Sequence, residues 1–327
     1  MSLNQPDVPG SDAPWPVLLD VLSTMRGVAV TEASYTVSEL HGGTLGQVRL
    51  VQGVANDVPF SVVWKTQRRW ERHGDPDSWR REYDLYQGPL GQPSAVGLRW
   101  PACYRAELTE EGVELWLQYI KGTTGLDLTP DMYERAAEAL GRFQANQASQ
   151  NASAWSAMSD LTYAETFYER YRSWPRVYDY VRSANELPEA VTSMLIEFDD
   201  HAEAIYERIR RLPMVVTHRD FWVANLLVND DVWAIDWDTT GWGYLGEDLA
   251  SLLVDEADVE HLEENYRRCI PAYYRGLGAI GEGIADHAIR EHILMMFGYR
   301  LVEWFLDASG AERDLHRRTL EIIARLT

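Results

Sequence analysis

The sequence predicts an α+β protein of two lobes, an antiparallel β-rich N-terminal lobe joined near residue 118 to a mainly helical C-terminal lobe. Three observations carry that expectation. Short apolar and β-branched segments at 35–40, 46–53 and 60–66 are separated by glycine and by Asn56-Asp57, the punctuation of an antiparallel meander. Beyond Lys121-Gly122 the pattern changes to helical spacing, with helices expected at about 130–148, 162–183, 188–211, 257–275, 284–308 and 310–326. One β-rich island, Met214–Thr217, Leu226–Val228 and 233–235, interrupts those helices and brackets the most polar motif of the chain.

The elements follow in order. Residues 1–14, with Pro6, Pro9, Gly10 and Pro14, read as a disordered or tag-like leader. Val17, Leu18, Val21 and Leu22 recur at helical spacing and open the N-terminal lobe, assigned to 15–117. A charged helical stretch at 78–86 and two strands, Cys103–Leu108 and 113–120, complete that lobe. Thr129-Pro130, a cap residue followed by proline, starts the first helix of the C-terminal lobe, assigned with the hinge to 118–327.

Composition narrows the function. No stretch approaches the roughly 20 apolar residues that span a bilayer, and the first residues lack a basic-then-apolar pattern, so a cytoplasmic location is expected. Cys103 and Cys269 are too few for a disulfide framework. A net charge of -21 argues against nucleic acid or an anionic membrane as partner. Residues 1–117 hold 15 acidic against 10 basic side chains and the rest 36 against 20, so the acidity sits in the C-terminal part. It fits a cationic ligand, but charge alone reads first as a solvated surface. Basic residues are 28 Arg and two Lys, Lys65 and Lys121, so a retained lysine marks a place that needs a compact ammonium.

The polar motif is Thr217-His218-Arg219-Asp220-Phe221-Trp222-Val223-Ala224-Asn225, followed by Ile235-Asp236-Trp237-Asp238. H-x-D-x-x-x-x-N with a second aspartate closing a short strand is the catalytic-loop and metal-loop arrangement of kinases. Phosphoryl transfer needs a carboxylate to orient the attacking hydroxyl and hard oxygen ligands to hold Mg²⁺ on a triphosphate. Asp220 fits the base, and Asn225 with Asp236 the metal set. His218 reads as a brace for the loop.

Four elements upstream fit the same chemistry. Gly42, Gly43, Thr44, Leu45 and Gly46, with Val48, form a glycine-rich segment whose backbone can approach phosphates, although an ordinary hairpin turn uses the same residues. Lys65 closes a strand where a kinase lysine contacts the phosphates. Glu82, on the following helix, is its expected ion-pair partner, with Glu71 and Asp84 as competitors. Gln118, Tyr119 and Ile120 run into the joint between lobes, where backbone groups can read an adenine edge.

Over about residues 35–260 the chain resembles aminoglycoside phosphotransferases and their choline kinase and homoserine kinase relatives. The resemblance rests on H-x-D-x-x-x-x-N, on Ile235-Asp236-Trp237-Asp238 and on Gly246-Glu247-Asp248-Leu249-Ala250. It implies a bilobal protein-kinase-like fold with ATP between the lobes, Asp220 as base, Asn225 and Asp236 on Mg²⁺, Lys65 on the phosphates and a structural Asp248. Arg219 and Val223-Ala224 depart from the family's common glycine and Pro-Gly, which bears on loop packing rather than on a reacting group.

Only about a dozen residues separate Asp236 from Asp248 and no A-P-E segment follows, so a protein substrate is not expected. The expected acceptor is a hydroxyl of a small, cationic or sugar-like molecule, as in antibiotic resistance. A metabolic kinase for choline, homoserine, a thio-sugar or a maltose-like sugar is the alternative, and a catalytically silent nucleotide-binding regulatory protein is the alternative of another class. Asp255, Glu256 and Trp304 are candidate acceptor contacts. By pattern alone, such residues read first as a solvated helix face and an aromatic core.

Overall fold

The structure, a computed structural model, describes residues 14–40, 46–70, 75–92, 96–150, 155, 170, 174–183, 186–256, 258–284 and 287–326. The leader expected at 1–14 lies outside these apart from Pro14. The chain forms two compact units, one running to Pro93 and resuming over Pro101–Lys121, the other made of Ser94–Trp100 and Gly122–Thr327. Among the described residues no helix is long and apolar enough to cross a membrane.

The first unit opens with α1 (Trp15–Arg26), which has proline in its first turn and Gly27 left-handed at its end, φ 66°. Five antiparallel strands follow: β1 (Ala33–Glu39), β2 (Gly46–Ala55), β3 (Val58–Arg68), β4 (Cys103–Leu108) and β5 (Gly112–Gln118). Asn56 and Asp57, with φ of 42° and 63°, make the two-residue turn that sends β2 back as β3. The sheet order β1-β2-β3-β5-β4 inserts β5 beside β3 and leaves β4 at the edge. Strand alternation sorts the faces. Val51, Phe60, Val62, Trp64 and Trp116 pack with Leu18, Val21 and Leu22 of α1, and Trp64 stacks on its cross-strand partner Trp116 with ring centroids 5.3 Å apart. The charged stretch expected at 78–86 is a 3₁₀ turn, Ser78–Arg80, continuing into α2 (Arg81–Gln87).

The second unit contains α3 (Pro130–Gln150), α4 (Pro175–Arg182), α5 (Glu189–Asp200), α6 (Ala202–Ile209), strands β6 (Met214–Thr217), β7 (Leu226–Val228), β8 (Val232–Ala234) and β9 (Gly241–Tyr244), then α7 (Glu247–Val254), α8 (Leu262–Leu277), α9 (His287–Ile293), α10 (Tyr299–Asp307) and α11 (Gly310–Arg325). α3 and α8 cross closely because Gly141 and Gly276 lack side chains. A Cβ there would sit 2.3 Å from the Tyr273 carbonyl and 2.2 Å from the Glu138 carbonyl. The polar island is two antiparallel pairs, β6 with β9 and, between them in sequence, the hairpin of β7 with β8.

Several expected elements differ. The single helix at 188–211 breaks at His201, whose φ of -109° ends α5 before α6 begins. The helix at 257–275 starts later, at Leu262, and the one at 284–308 contains a π turn, Leu294–Gly298, between α9 and α10. β9 and α7 have no counterpart in the sequence reading. Of the stretch 162–183 only 170 and 174–183 are described, and the helix there is α4.

Candidate active site

In the first unit, alternation along β3 turns Lys65 to the face opposite Trp64. There its Nζ forms an ion pair with the buried carboxylate of Glu82 on α2. Of the competing partners, Asp84 is held by Arg80 through two contacts of 2.9 Å, while Glu71 lies outside the described residues. Val48 and Leu115 sit directly across from Lys65 on the neighbouring strands, so they share its face. Gly46 starts β2 against β3, where a Cβ would fall 1.8 Å from the Thr66 carbonyl oxygen; no other residue fits. Gly42, Gly43, Thr44 and Leu45 lie outside the described residues. After β5, the Gln118 N–H donates to the Ala102 carbonyl at 2.8 Å, while Tyr119 and Ile120 have no described backbone partner. Ile120 is nonetheless buried, and Tyr119 is exposed.

In the second unit the polar motif is a tightly bonded loop. Arg219 takes the left-handed region at φ 66°, a conformation that a bulky residue holds only when its surroundings fix it. Asp248, on the first turn of α7, supplies that fixing: its two oxygens accept the backbone N–H groups of His218 and Arg219, each at 2.8 Å. Gln144 of α3 donates to the same carboxylate and to the Val216 carbonyl, both at 3.2 Å, and Tyr273 donates to Gln144. The Arg219 guanidinium crosses β9, donating to the Trp242 carbonyl at 2.8 Å over Gly241. A Cβ at Gly241 would lie 2.2 Å from its Cζ.

His218 braces the loop. Its Nε2 lies 3.0 Å from the Ile235 carbonyl, and Thr239 donates to the His218 carbonyl at 2.6 Å, so the loop bearing Asp220 is tied to the segment bearing Asp236. Asp236 is itself left-handed, φ 66°, turning the chain from β8 into the 3₁₀ turn Trp237–Thr239. Asn225 ends the 3₁₀ turn Val223–Asn225, and its side-chain amide donates to the Asp220 carbonyl at 2.9 Å and carboxylate at 2.8 Å. Both acceptors demand the NH₂ end of the amide, which leaves Oδ1 without a described protein partner. That amide oxygen and the Asp236 carboxylate are hard oxygen donors of the kind that would hold Mg²⁺. No group of three or more His, Cys, Asp or Glu among the described residues is arranged to hold a metal by itself.

Burial, then the nearby charges of Asp236, Asp255 and Asp238, push the Asp220 carboxyl up to about 7. Burial likewise pushes Asp248 up to about 6, opposed by the two loop N–H groups. Asp255 closes α7, and its carboxylate meets Arg300 Nη1 at 3.4 Å. The Arg300 guanidinium lies over Trp304, 4.4 Å from the ring centroid, so one arginine joins two of the candidate acceptor residues. Glu256 adopts left-handed φ 49° immediately after. The sequence reading passed over Gln144, Thr239, Gly241 and Arg300. Only Gln144 left a signal: a polar residue among Tyr133, Ala136, Ala137, Leu140 and Phe143, on the buried face of α3.

The fold and this loop define a phosphotransferase. The chain belongs to the phosphotransferase enzyme family, whose sequence model matches residues 71–282. No curated protein matches it in sequence. Solved structures share the fold, which is protein-kinase-like. A choline kinase from Cryptosporidium parvum Iowa II is 15% identical, with a TM-score of 0.57 over 88% of each chain. The GDP and kanamycin complex of APH(2")-IIia is 15% identical, with a TM-score of 0.58 over 95% of this chain and 97% of that one. The spectinomycin phosphotransferase APH(9)-Ia, in complex with ADP and spectinomycin, is 16% identical, with a TM-score of 0.52 over 94% and 97%.

Proposed function

We propose that the protein transfers the γ-phosphoryl group of ATP, with Mg²⁺, to a hydroxyl of a small molecule in the cytoplasm. The observation that carries this reading is the clasp between Asn225 and Asp220, in which one amide positions the carboxylate and keeps its own oxygen free. Asn225 Oδ1 and Asp236 would hold the metal, which supplies charge neutralisation at the phosphate oxygens. Asp220 accepts the proton of the acceptor hydroxyl as that oxygen bonds to the γ-phosphorus and the bond to the β-phosphate oxygen breaks, releasing ADP. Lys65, kept in place by Glu82, contacts the phosphates. The backbone of Tyr119 and Ile120 offers a donor and acceptors to the adenine edge, and Val48 an apolar contact to its ring. Catalysis is then mostly positioning and charge stabilisation, with His218 and Asp248 fixing the loop geometry.

An ADP-release assay over amino alcohols, sugars, hydroxy acids, choline and aminoglycosides tests the reading. Turnover is expected on one class. Asp220→Asn should remove it by orders of magnitude while ATP still binds, and Asp236→Ala should abolish Mg²⁺-dependent nucleotide binding. Unchanged turnover in Asp220→Asn defeats the base assignment. A wild-type protein that binds ATP and turns over nothing supports instead a silent nucleotide-binding role.

A further inference from the structure

Resting on the kinase reading above, we propose that Arg300 recognises a carboxylate on the acceptor, so that the favoured substrate is a small hydroxy acid or hydroxylated amino acid rather than a polycation. Helix α7 places Arg300's partner near the chemistry. Its first turn carries Asp248, which clasps the catalytic loop, and Asp255 follows seven residues on, a rise of about 10 Å. The charge of Asp255 is also among those felt by Asp220.

Asp255 was the natural candidate to take a substrate ammonium, yet it is buried against a cation of the protein's own. A cationic group arriving there has to displace Arg300 from it. At 3.4 Å the pair is longer than the roughly 2.8 Å of a tight charge-assisted bond. The guanidinium presents a planar fork of five donors, suited to bridging Asp255 and a second carboxylate.

Two features fix the arginine's orientation. Its guanidinium rests over Trp304 at 4.4 Å and Phe297 at 5.4 Å, which restricts the plane it presents. The π turn Leu294–Gly298 ends two residues before it and shifts the facing of everything that follows, and such turns occur often at functional sites. The acidity of the wider lobe does not reverse the choice. Exposed charges beyond a Debye length of about 8 Å are screened, and the group in contact decides selectivity.

The test is the ratio of kcat/KM for acceptor pairs that differ only in a carboxylate: L-serine against ethanolamine, L-homoserine against 3-aminopropanol, D-glycerate against ethylene glycol. The wild-type protein is expected to favour the carboxylated member of at least one pair tenfold or more. Arg300→Gln should pull that ratio towards one through KM, and Arg300→Lys should retain part of it. Because Arg300→Gln leaves Asp255 buried without its cation, Arg300→Gln with Asp255→Asn serves if the single variant folds poorly. Preference for the decarboxylated members or for a polycationic aminoglycoside overturns the inference and leaves the kinase reading standing, as does an unchanged ratio in the folded variants. Turnover of no acceptor of either charge overturns both.

Discussion

The carboxylate of Asp248 accepts the backbone N–H of Arg219 at 2.8 Å while Arg219 stands at a left-handed φ of 66°. The second oxygen takes the N–H of His218 at the same distance, so one buried side chain fixes both residues that lead into Asp220. Asp248→Asn keeps the shape but replaces one acceptor oxygen with a donor, leaving one loop N–H facing another N–H. Losing one charge-assisted bond is worth about 1.5–3 kcal/mol, so kcat should fall roughly 10- to 100-fold. Steady-state kinetics beside a thermal melt separates loop misplacement from unfolding; a kcat within twofold of wild type in a folded variant counts against the clasp.

Glu82 and Asp84 lie on the same short helix, and only the first is buried against Lys65. Glu82→Gln removes the charge that holds the ammonium, and kcat/KM for ATP should drop about 10- to 100-fold. Asp84→Asn breaks a more exposed pair with Arg80, of the kind worth about 0–1 kcal/mol, and should change that constant less than threefold. Equal effects from the two substitutions would move the lysine's partner elsewhere.

The Arg219 guanidinium needs Gly241, where a Cβ would come within 2.2 Å of Cζ. Gly241→Ala should therefore destabilise by about 1–3 kcal/mol through overpacking. In an Arg219→Gly background the same methyl meets no guanidinium, and the left-handed position is relaxed. Urea denaturation of the four proteins should give a coupling of about 1 kcal/mol or more. Strict additivity is the result that sinks this account.

Which parts of the molecule could be read in advance follows from how far apart their partners lie in sequence. β1 to β3 were legible because alternation and the Asn56-Asp57 turn are local, and Lys65 because it stands on a strand in an arginine-rich chain. Asp220 and Asn225 were legible because their bond spans five residues. The brace from Gln144 to Asp248 spans 104 residues and the pairing of Arg300 with Asp255 spans 45, and no periodicity reports either. The break at His201 interrupts residues that all suit a helix. β9, Gly241–Tyr244, looked unlike a strand because its glycines make room for neighbours: Arg219 at Gly241, and Glu247 and Thr217 at Gly243.

His292 supplies the pH dependence. It is fully buried, its Nε2 lies 3.1 Å from the Leu245 carbonyl, and Nδ1 has no described partner. The Nε2 proton is the one donated, so a second proton would place a charge on Nδ1 inside the core. Burial accordingly holds the imidazole down to about 4, from an ordinary 6.5. With the folded pKa below the unfolded one, the unfolded chain binds the proton first as pH falls. The contribution is therefore complete above 6.5 and is lost progressively towards 4, at up to about 1.4 kcal/mol per pH unit. His292→Gln keeps a donor for Leu245 and has nothing to titrate. Urea unfolding at pH 7.5 and pH 5 should show wild type losing about 2 kcal/mol more than this variant over that interval. The carboxylates raised by burial shift stability in the opposite direction but are common to both proteins, so they cancel in the difference. A difference that does not change with pH would mean that the imidazole is charged, or hydrated, within the fold.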